Sequence, residues 1–429
     1  MARYLRSPQR FLREQHTRFG DAFRQRFIGS GTWTLFSTPE AARALLTAPT
    51  DIVRAGIANE EVLGALVGRM SLLTLDGSAH LARRKLLLPS LRGERMHMHG
   101  DAIIALATKL VHTWPEHAAL SLLPEFQKLT LNVIMRVVFG LDETSAHHEL
   151  RRMLTRVVNE CLGSPLLLIK PLQWDLGRLS PWGRIVRILR RTHELLTDEI
   201  RRRRHEDPRQ DILSLLLAVR TEEGERLSDS DLRDELISLL IAGQETTSSS
   251  TAWLFERLLS NPPALARIKD ELESVCGAQP LAAEHLTKLP YLDAAIRESL
   301  RMRSIFANTS VRILSEDLDI AGHQVKKGEQ VSISAAVLHF RPELYSDPWQ
   351  FLPERFLTKT PDPYQWIPFG GGTRRCIGMQ IALYQMKAIT SAILRRVNLK
   401  LDGPVEETTR GFMMAPKGGL RVRLSARLD

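Results

Sequence analysis

The sequence predicts a mainly α protein with a small β part. Apolar residues recur at helical spacing up to about residue 300, with only short breaks such as Asn261-Pro262-Pro263. Alternating segments rich in β-branched residues follow at 309–334 and 397–427. No Gly/Ser-rich or Pro-rich linker and no internal repeat divides the 429 residues, so we expect one domain over 1–429.

Predicted helices fill most of the chain before residue 304. Residues 8–28 and 38–48 match helical spacing, a short strand pair is possible around 20–38, and residues 51–75 show no regular pattern. The later helical patterns are joined by short connections, which favours one compact body. These later helices are predicted at 77–96, 99–115, 122–140, 147–163, 182–204, 209–220, 229–260, 264–276, 281–286 and 289–303.

The last third of the chain has a different character. Residues 309–334 alternate, with a hairpin turn at 326–329, whereas residues 337–366 contain several prolines and look loop-rich. A helix is predicted at 377–396. A final β-like stretch covers 397–427, so the β-rich parts are about 20–38, 309–334 and 397–427.

The cysteine content and the start of the chain indicate a cytoplasmic protein. Cys161, Cys276 and Cys376 are too few and too scattered for a disulfide framework, which suits a reducing compartment. No apolar run has the length of a membrane span, and no apolar stretch follows the basic N-terminal residues as in a signal peptide. We therefore expect a soluble protein with no membrane span.

The formal net charge of +10 comes largely from arginine. A nucleic-acid binder is disfavoured, because the basic residues lie on amphipathic helices among Glu and Asp and no aromatic-basic interleaving appears. The run 201–204, four arginines, is interpreted as a solvated helix face. A basic docking face for an acidic protein partner remains the useful hypothesis.

The most informative stretch is 369–378, Phe-Gly-Gly-Gly-Thr-Arg-Arg-Cys-Ile-Gly. It places Cys376 after a glycine-rich loop and close to a predicted helix N-terminus, where the helix dipole and free N–H groups favour a thiolate. Glycines permit positive φ and close approach of a ligand to the backbone. A thiolate here suits a metal; the alternative is a buried structural cysteine. The residues that this chemistry requires are Phe369, Gly370, Gly372, Arg374, Cys376 and Gly378.

The helix predicted at 229–260 carries a second unusual segment. Its flanks are apolar, which predicts a buried central helix, but residues 242–251 are rich in Gly, Thr and Ser, which are poor helix formers. Hydroxyl side chains there compete for backbone carbonyls. An acid beside a hydroxyl, Glu245 and Thr246, is suited to relay protons. The alternative is a helix crossing lined by small residues, with Glu245 facing solvent.

Two charged sets are weak signals when taken alone. Glu298 and Arg301 stand at i and i+3 and could form a buried network with Arg355, although such pairs are common on surfaces. His80 and Arg84 share one helix face and could both donate to a carboxylate; a surface pair is the alternative.

Together, these four features resemble the cytochrome P450 family of haem-thiolate monooxygenases, and the resemblance covers nearly the whole chain. It implies the cytochrome P450 fold, with haem b between the long central helix and the helix after the cysteine loop. By this resemblance Cys376 is the axial thiolate of the haem iron, which favours O–O cleavage of bound O₂. Phe369 lies beside the haem, and Gly370 and Gly378 belong to the cofactor-binding loop.

The resemblance also assigns the other residues. Arg374, His80, Arg84 and Arg312 match donors to the haem propionates, and Glu298, Arg301 and Arg355 match a structural triad. Ala242, Gly243, Glu245 and Thr246 match the oxygen-binding kink of the central helix. There Gly243 would leave room for O₂, Thr246 would hydrogen-bond it, and Glu245 would feed protons.

The class of substrate is predicted from the segments expected to line the pocket. The proline that many family members have soon after the Glu-x-x-Arg helix is missing from 302–308, so the family pattern does not give the shape of this pocket. By analogy the pocket is apolar with adaptable methionines, which favours a terpenoid, steroid, fatty acyl or polyketide substrate. The residues expected to line it are Val62, Leu66, Leu167, Ile305, Phe306, Phe412 and Met413.

The expected activity is hydroxylation or epoxidation with O₂ and two electrons from an acidic ferredoxin or flavodoxin and its reductase. Arg375 and Lys387 are candidate docking cations near Cys376, and a monomer is expected. Two alternatives stay open: a peroxide-driven peroxygenase, which the Glu245–Thr246 pair disfavours, and a haem-binding sensor or carrier without turnover.

Overall fold

The centre of the structure is one long helix of 31 residues, Asp229–Leu259, most of whose residues are buried. The structure is a computed structural model. It describes residues 2–27, 30–91, 98–116, 118–141, 147–162, 164–167, 173–175, 177, 180–221, 224–358, 360–411 and 413–428.

Helices form most of the chain, as the periodicity predicts. They are α1 (Ala2–Arg6), α2 (Pro8–Phe19), α3 (Pro39–Thr47), α4 (Gly56–Val67), α5 (Gly77–Leu87), α6 (Gly100–His112), α7 (Leu122–Val137), α8 (His148–Arg156), α9 (Pro181–Arg203), α10 (Ile212–Ala218), α11 (Asp229–Leu259), α12 (Pro262–Cys276), α13 (Pro290–Met302), α14 (Ala335–Leu338) and α15 (Met379–Leu394).

Side-chain caps set several of these helix starts. Ser228 and Asp231 form a capping box at α11, in which the Ser228 hydroxyl accepts from the Asp231 N–H and the Asp231 carboxylate accepts from the Ser228 N–H. Ser180 caps α9 just before Pro181, and Asn261 caps α12 just before Pro262. These local signals explain why the predicted starts lie close to the observed ones.

Among the described residues, the strands form one five-stranded sheet and three small ones. The large sheet has the order β1-β2-β8-β5-β3, in which only β2 and β8 are parallel; β4-β12-β9 form a second sheet, and β6-β7 and β10-β11 are hairpins. The strands are β1 (Ala22–Phe27), β2 (Gly31–Phe36), β3 (Val53–Arg54), β4 (Ala119–Ser121), β5 (Arg312–Leu314), β6 (Leu318–Ile320), β7 (His323–Val325), β8 (Gln330–Ile333), β9 (Val397–Leu401), β10 (Glu407–Arg410), β11 (Met413–Pro416) and β12 (Arg421–Arg427).

The main core surrounds α11. Helices α4, α7, α9, α12, α13 and α15 and the hairpin β10-β11 all contact it. Because α15 follows the cysteine loop and packs on α11, the two most informative segments of the sequence lie on neighbouring helices. No helix among the described residues is both long enough and apolar enough to span a bilayer.

Several local predictions were wrong. The turn at 326–329 does not close a hairpin, because β7 pairs with β6 whereas β8 pairs with β2 and β5. Residues 51–75 contain helix α4, whose apolar side chains are spread around the axis, so no amphipathic stripe marks it. The helix predicted at 8–28 ends at Phe19, and β1 begins at Ala22. In the arginine run, Arg203 is only 3% exposed and bonds Asp211, because successive helical residues point in different directions and one of the four faces the core.

Candidate active site

The cysteine loop lies against helix α3. The Cys376 N–H donates to the Phe369 carbonyl over 2.9 Å, which closes the loop just before α15. Gly370 and Gly372 have φ values of +66° and +61°, which other residues rarely adopt. A Cβ at Gly372 would lie 1.7 Å from the Leu46 carbonyl oxygen, so this glycine is required by packing on α3. At Gly370 the same Cβ would meet nothing within 4 Å.

Cys376 is the exposed cysteine of the three, whereas Cys161 and Cys276 are buried. Although Cys376 has accessible surface, protein surrounds its sulfur closely enough that desolvation raises the pKa of the thiol. The Gly378 N–H and the charges of Arg84 and Arg375 act in the opposite direction. The expected thiolate-favouring field is therefore present, but by itself it does not outweigh burial.

Phe369 belongs to an aromatic group beside the loop. Its ring makes an edge contact with Trp366 at a centroid separation of 5.9 Å, and Trp366 in turn contacts Phe356. Trp366 Nε1 donates to the Arg297 carbonyl. This packing fixes the position of Phe369 relative to Cys376.

Four basic groups from three segments come together near the cysteine. Desolvation by burial lowers the pKa of His80 to about 3, with smaller contributions from the charges of Arg374 and Arg84. Desolvation, with a smaller contribution from Arg374, also lowers the pKa of Arg312 to about 10. His80 Nδ1 and Arg374 Nε are buried and have no hydrogen-bond partner among the residues that the structure describes. The charges of Arg84, Arg312 and Arg374, the neutral ring of His80 and these unpaired nitrogens together indicate a site for an anion.

Arg374 is held by backbone carbonyls and by one acid. It donates to the Leu72 carbonyl over 3.2 Å, to the Leu75 carbonyl and to Asp76. The Asp76 carboxylate also accepts from the Gly56 N–H at the start of α4 over 2.7 Å. Asp76 was not singled out from the sequence.

Glu298 and Arg301 of α13 form a fully buried pair. Arg301 donates to both carboxylate oxygens of Glu298 over 2.7 and 2.8 Å and also to the carbonyls of His339 and Pro348. Arg355 donates to Glu298 over 3.1 Å. The structure thus brings together the three charged residues that the sequence grouped.

Helix α11 continues without interruption through residues 242–251. The Thr246 hydroxyl donates to the Ala242 carbonyl over 2.6 Å, so it competes for a helical acceptor without breaking the helix. Ala242 is exposed and Thr246 half-buried. A Cβ at Gly243 would lie 3.1 Å from Ile134, which shows that this glycine also permits the close approach of α7.

Glu245 points away from Thr246, towards α7 and the hairpin β10-β11. Gln127 Nε2 donates to Glu245 Oε2 over 2.7 Å, and Arg410 Nε lies 3.4 Å from Oε1. Oε1 itself makes no hydrogen bond within the described residues. Neighbouring helical residues diverge, so proton transfer between Glu245 and Thr246 requires a mediator such as water.

Known proteins share this architecture. The cytochrome P450 family profile matches residues 2–421. The chain is 32% identical to putative cytochrome P450 135B1 of Mycobacterium tuberculosis, over 99% of this chain and 89% of that protein. It is also 32% identical to putative cytochrome P450 137 of the same organism, over 98% and 86%.

The chain belongs to the cytochrome P450 family. Its structure matches retinoic acid-bound cyanobacterial CYP120A1 with a TM-score of 0.85 and 26% identity, over 99% of this chain and 96% of that one. The haem domain of cytochrome P450DA matches with a TM-score of 0.84 and 24% identity, over 98% and 94%. The predicted P450 fold is confirmed, and the chain is a P450 monooxygenase, a class that uses haem-thiolate iron and O₂.

The residues present fit the haem of a P450. A thiol at the end of a cradle of glycines is a suitable single iron ligand. Arg84, Arg312 and Arg374 offer cationic donors suited to propionates, and the neutral His80 offers a further ring nitrogen. Within the described ranges, no group of three or more His, Cys, Asp or Glu side chains is placed to hold a metal ion.

The predicted substrate residues differ in exposure. Leu66, Leu167 and Ile305 are buried, whereas Phe306 is 42% exposed. Val62 and Met413 are half-buried. The backbone bond from the Met414 N–H to the Ile305 carbonyl, over 2.7 Å, joins two of the predicted pocket segments. Phe412 lies outside the described residues.

A separate groove of about 700 Å³ lies between α4, α9 and the start of α11. Trp182 and Leu189 contribute apolar surface, and Arg190 and Arg233 stand at its edge. It contains none of the predicted site residues, so its size does not identify the reaction site.

Four site-supporting residues were missed by sequence reasoning. Asp76 accepts a hydrogen bond from Arg374, and Arg83 bonds the segment that holds Arg374. Gln127 and Arg410 contact Glu245. Only the position of Asp76 beside the predicted start of α5 gave any signal. The other three are ordinary polar residues. Gln127 and Arg410 lie more than 100 positions from their partner Glu245, and Arg83 lies 148 and 152 positions from the two acids that it binds.

Proposed function

We propose that this P450, acting as a single domain, hydroxylates or epoxidises a medium-to-large hydrophobic molecule, with Cys376 as the axial ligand of haem b. The observation that carries the proposal is the joint placement of Cys376 and the four basic groups beside a helix that packs on α11. When bound, the haem iron supplies O₂ activation, because a thiolate ligand donates electron density that favours O–O cleavage.

The protein residues have separate tasks in this proposal. His80, Arg84, Arg312 and Arg374 hold the two propionates, Phe369 packs beside the cofactor, and Gly370 and Gly378 belong to the loop that faces it. Glu298, Arg301 and Arg355 fix the scaffold behind the cysteine loop. This division is supported by the buried bonding of Glu298, Arg301 and Arg355 and by the unpaired nitrogens of His80 and Arg374 among the described residues.

Helix α11 supplies the residues that handle protons. Thr246 orients a proton at its hydroxyl oxygen, and Glu245 exchanges protons with it through water. Thr246 currently donates to the Ala242 carbonyl, so its hydroxyl must rotate to donate elsewhere. Gly243 and Ala242 keep this wall small, and the apolar residues Val62, Leu66, Leu167, Ile305, Phe306, Phe412 and Met413 are proposed to contact the substrate.

A carboxylic acid with a long apolar body is a suitable first ligand to test. The structural neighbour CYP120A1, 26% identical, is described as retinoic acid-bound. The apolar character of Leu66, Ile305 and Phe306 supports a hydrophobic body. A screen of fatty acids, terpenoids, steroids and retinoic acid for a ferric spin-state shift tests this class.

Electrons are proposed to come from an acidic ferredoxin or flavodoxin with its reductase, in the cytoplasm, to a monomeric P450. Arg375 is the better docking candidate, because its charge acts on Cys376. Lys387 is a poor one, since its side chain is 14% exposed and pairs with Asp293 over 3.2 Å. Arg375→Glu is expected to slow reduction without loss of haem; unchanged reduction would contradict this docking face.

The ferrous–CO spectrum followed by a turnover assay with a redox partner is the decisive experiment. A shifted CO band that is lost in Cys376→His is expected, together with oxygenated product. An unshifted band in the parent protein would exclude thiolate ligation, and a shifted band without turnover would favour the sensor or carrier.

Thr246→Ala is expected to divert electrons from product to peroxide by several-fold; unchanged coupling would remove the relay and favour the peroxygenase.

A further inference from the structure

Residues 68–76, here called the strap, connect α4 to α5 and accept hydrogen bonds from Arg374 of the cysteine loop. The carbonyls of Leu72 and Leu75 both accept from Arg374, as does Asp76 at the end of the strap. Arg374 is proposed to hold a haem propionate. The position of the strap therefore determines where that guanidinium points.

Arg83 binds the strap from α5. Its Nη1 donates to the Met70 carbonyl over 2.8 Å and to Glu235 Oε1 over 3.0 Å, and its Nη2 donates to Asp231 Oδ1 over 2.8 Å. Arg83 is only 8% exposed. One guanidinium thus joins α5, the strap and α11, although its neighbour Arg84 belongs to the cationic cluster.

The same face of α11 holds the strap by further bonds. Glu235 Oε1 accepts from the Leu72 N–H over 2.8 Å, and the Ser71 and Ser238 hydroxyls are 2.6 Å apart. Asp234 accepts from the Met70 N–H over 3.3 Å. These three residues of α11 stand at i, i+1 and i+4, so they lie along one side of the helix.

Gly68 shows how closely the strap lies on α11. Its φ is +79°, and a Cβ there would lie 2.0 Å from Asp234 Oδ2. A side chain at this position would displace the carboxylate that holds Met70. The tight fit indicates that one conformation of the strap is built in, because α11 supplies acceptors for both Arg83 and the strap N–H groups.

We propose that Arg83 is a positioning residue for cofactor retention. It clamps the strap to α11, and the clamped carbonyls of Leu72 and Leu75 hold Arg374 in the orientation that meets a propionate. Opening of this clamp releases Arg374 from its carbonyl acceptors and lets haem leave. The inference rests on the proposed function in that Arg374 is taken as a propionate donor.

Removing Arg83 would leave Asp231 and Glu235 without their cation in a buried setting and would free the Met70 carbonyl. Unpaired buried charges are costly, so the strap is expected to shift rather than keep its place. Removing a group that orients the ligands of a metal commonly changes metal affinity by about 10–100-fold. Because Arg83 acts through the strap and Arg374, we expect an effect at the lower end of this range. A change of that size is measurable as a rate of haem loss.

The test compares Arg83→Met with Arg69→Met in the holoenzyme. Arg69 lies in the same strap but is 86% exposed, so its loss removes the same charge from a solvated position. Transfer of haem to excess apomyoglobin is expected to be about tenfold faster in R83M and unchanged in R69M. Hydrogen exchange in peptides that cover 68–76 should rise in R83M alone.

Equal haem-transfer rates and equal exchange in the two variants would overturn the proposal. If R83M yields no folded protein, Arg83→Lys and Glu235→Gln decide, since each removes only part of the clamp; haem loss at the parent rate in both would overturn it. The CO band separates the two hypotheses. A shifted band in the parent with unchanged haem loss in the variants refutes only the clamp, whereas an unshifted band refutes thiolate ligation.

Discussion

Two buried carboxylates, Glu298 of α13 and Glu235 of α11, are bonded very differently. Glu298 accepts two bonds from Arg301, one from Arg355 and one from the Leu352 N–H, spread over both oxygens. At Glu235, Arg83 and the Leu72 N–H both donate to Oε1. The first carboxylate is held redundantly, and the second is held at one atom.

The two carboxylates therefore differ in how firmly they hold their partners. Burial raises the pKa of Glu235 to about 7, and the Arg83 charge offsets this only in part. A carboxylate close to half-protonated near neutral pH holds its cation less firmly than the same carboxylate would if it were ionised. The region around Glu298 is thus suited to rigidity, and the region around Glu235 to a contact that opens and closes.

The largest effect is expected for Arg301→Met. Arg301 is fully buried and donates to Glu298 and to the carbonyls of His339 and Pro348, so its loss leaves several buried acceptors unpaired. We expect a loss of about 3–5 kcal/mol in the free energy of unfolding, measured by urea denaturation. Arg355→Met, at a 14% exposed side chain, should cost clearly less; equal costs would show that the network is not redundant.

Arg203→Met tests whether a third buried carboxylate behaves like Glu298. Asp211 accepts from Arg203 over 2.8 and 2.7 Å and from the Ser214 N–H over 2.7 Å. A loss of about 2–4 kcal/mol is expected. Arg201→Met is the matched control, because Arg201 is 66% exposed in its pair with Asp229 and should change stability by less than about 1 kcal/mol.

Glu235→Gln is expected to change the pH dependence of stability. The pKa of Glu235 is about 7 in the folded protein against an ordinary 4.5, so between these values the folded state binds more protons than the unfolded state. The stabilising contribution of this group is therefore complete below pH 4.5 and falls as pH rises to about 7. Relative to the parent, the Gln variant should gain about 1–3 kcal/mol between pH 5 and pH 8.

Melting temperatures of the two proteins across this pH range check the prediction. The difference between them is the quantity to compare, because other carboxyls, such as Asp231, have lowered pKa values and act with the opposite sign in both proteins. Parallel curves would mean that Glu235 stays ionised and is held as firmly as Glu298.

The smallest effect on stability is expected at Arg410→Met. Arg410 is 48% exposed and lies 3.4 Å from Glu245 Oε1 without a hydrogen bond, whereas Gln127 bonds the other oxygen. We expect a change below about 1 kcal/mol in urea denaturation. A loss as large as that of Arg301→Met would place Glu245 with the scaffold carboxylates and would argue against its freedom to exchange protons.

Much of the fold could be predicted because its helices carry local signals. The start of α11 is marked by the Ser228–Asp231 capping box, and α9 and α12 begin with a capping residue followed by proline. Helix α4 was missed because its apolar residues surround the axis and leave no period to detect. Arg203 was misassigned because composition does not tell which residue of a charged run faces the core.

The sequence alone determined the family through the spacing of Cys376, Glu298, Arg301 and Thr246. This was possible because the residues that the chemistry needs occur in short motifs. It also placed α15 after the cysteine and α11 in the interior. Only the tertiary structure decided which polar residues support them. Arg83 meets Glu235 across 152 positions and Gln127 meets Glu245 across 118, because helix packing brings together side chains that no local pattern connects.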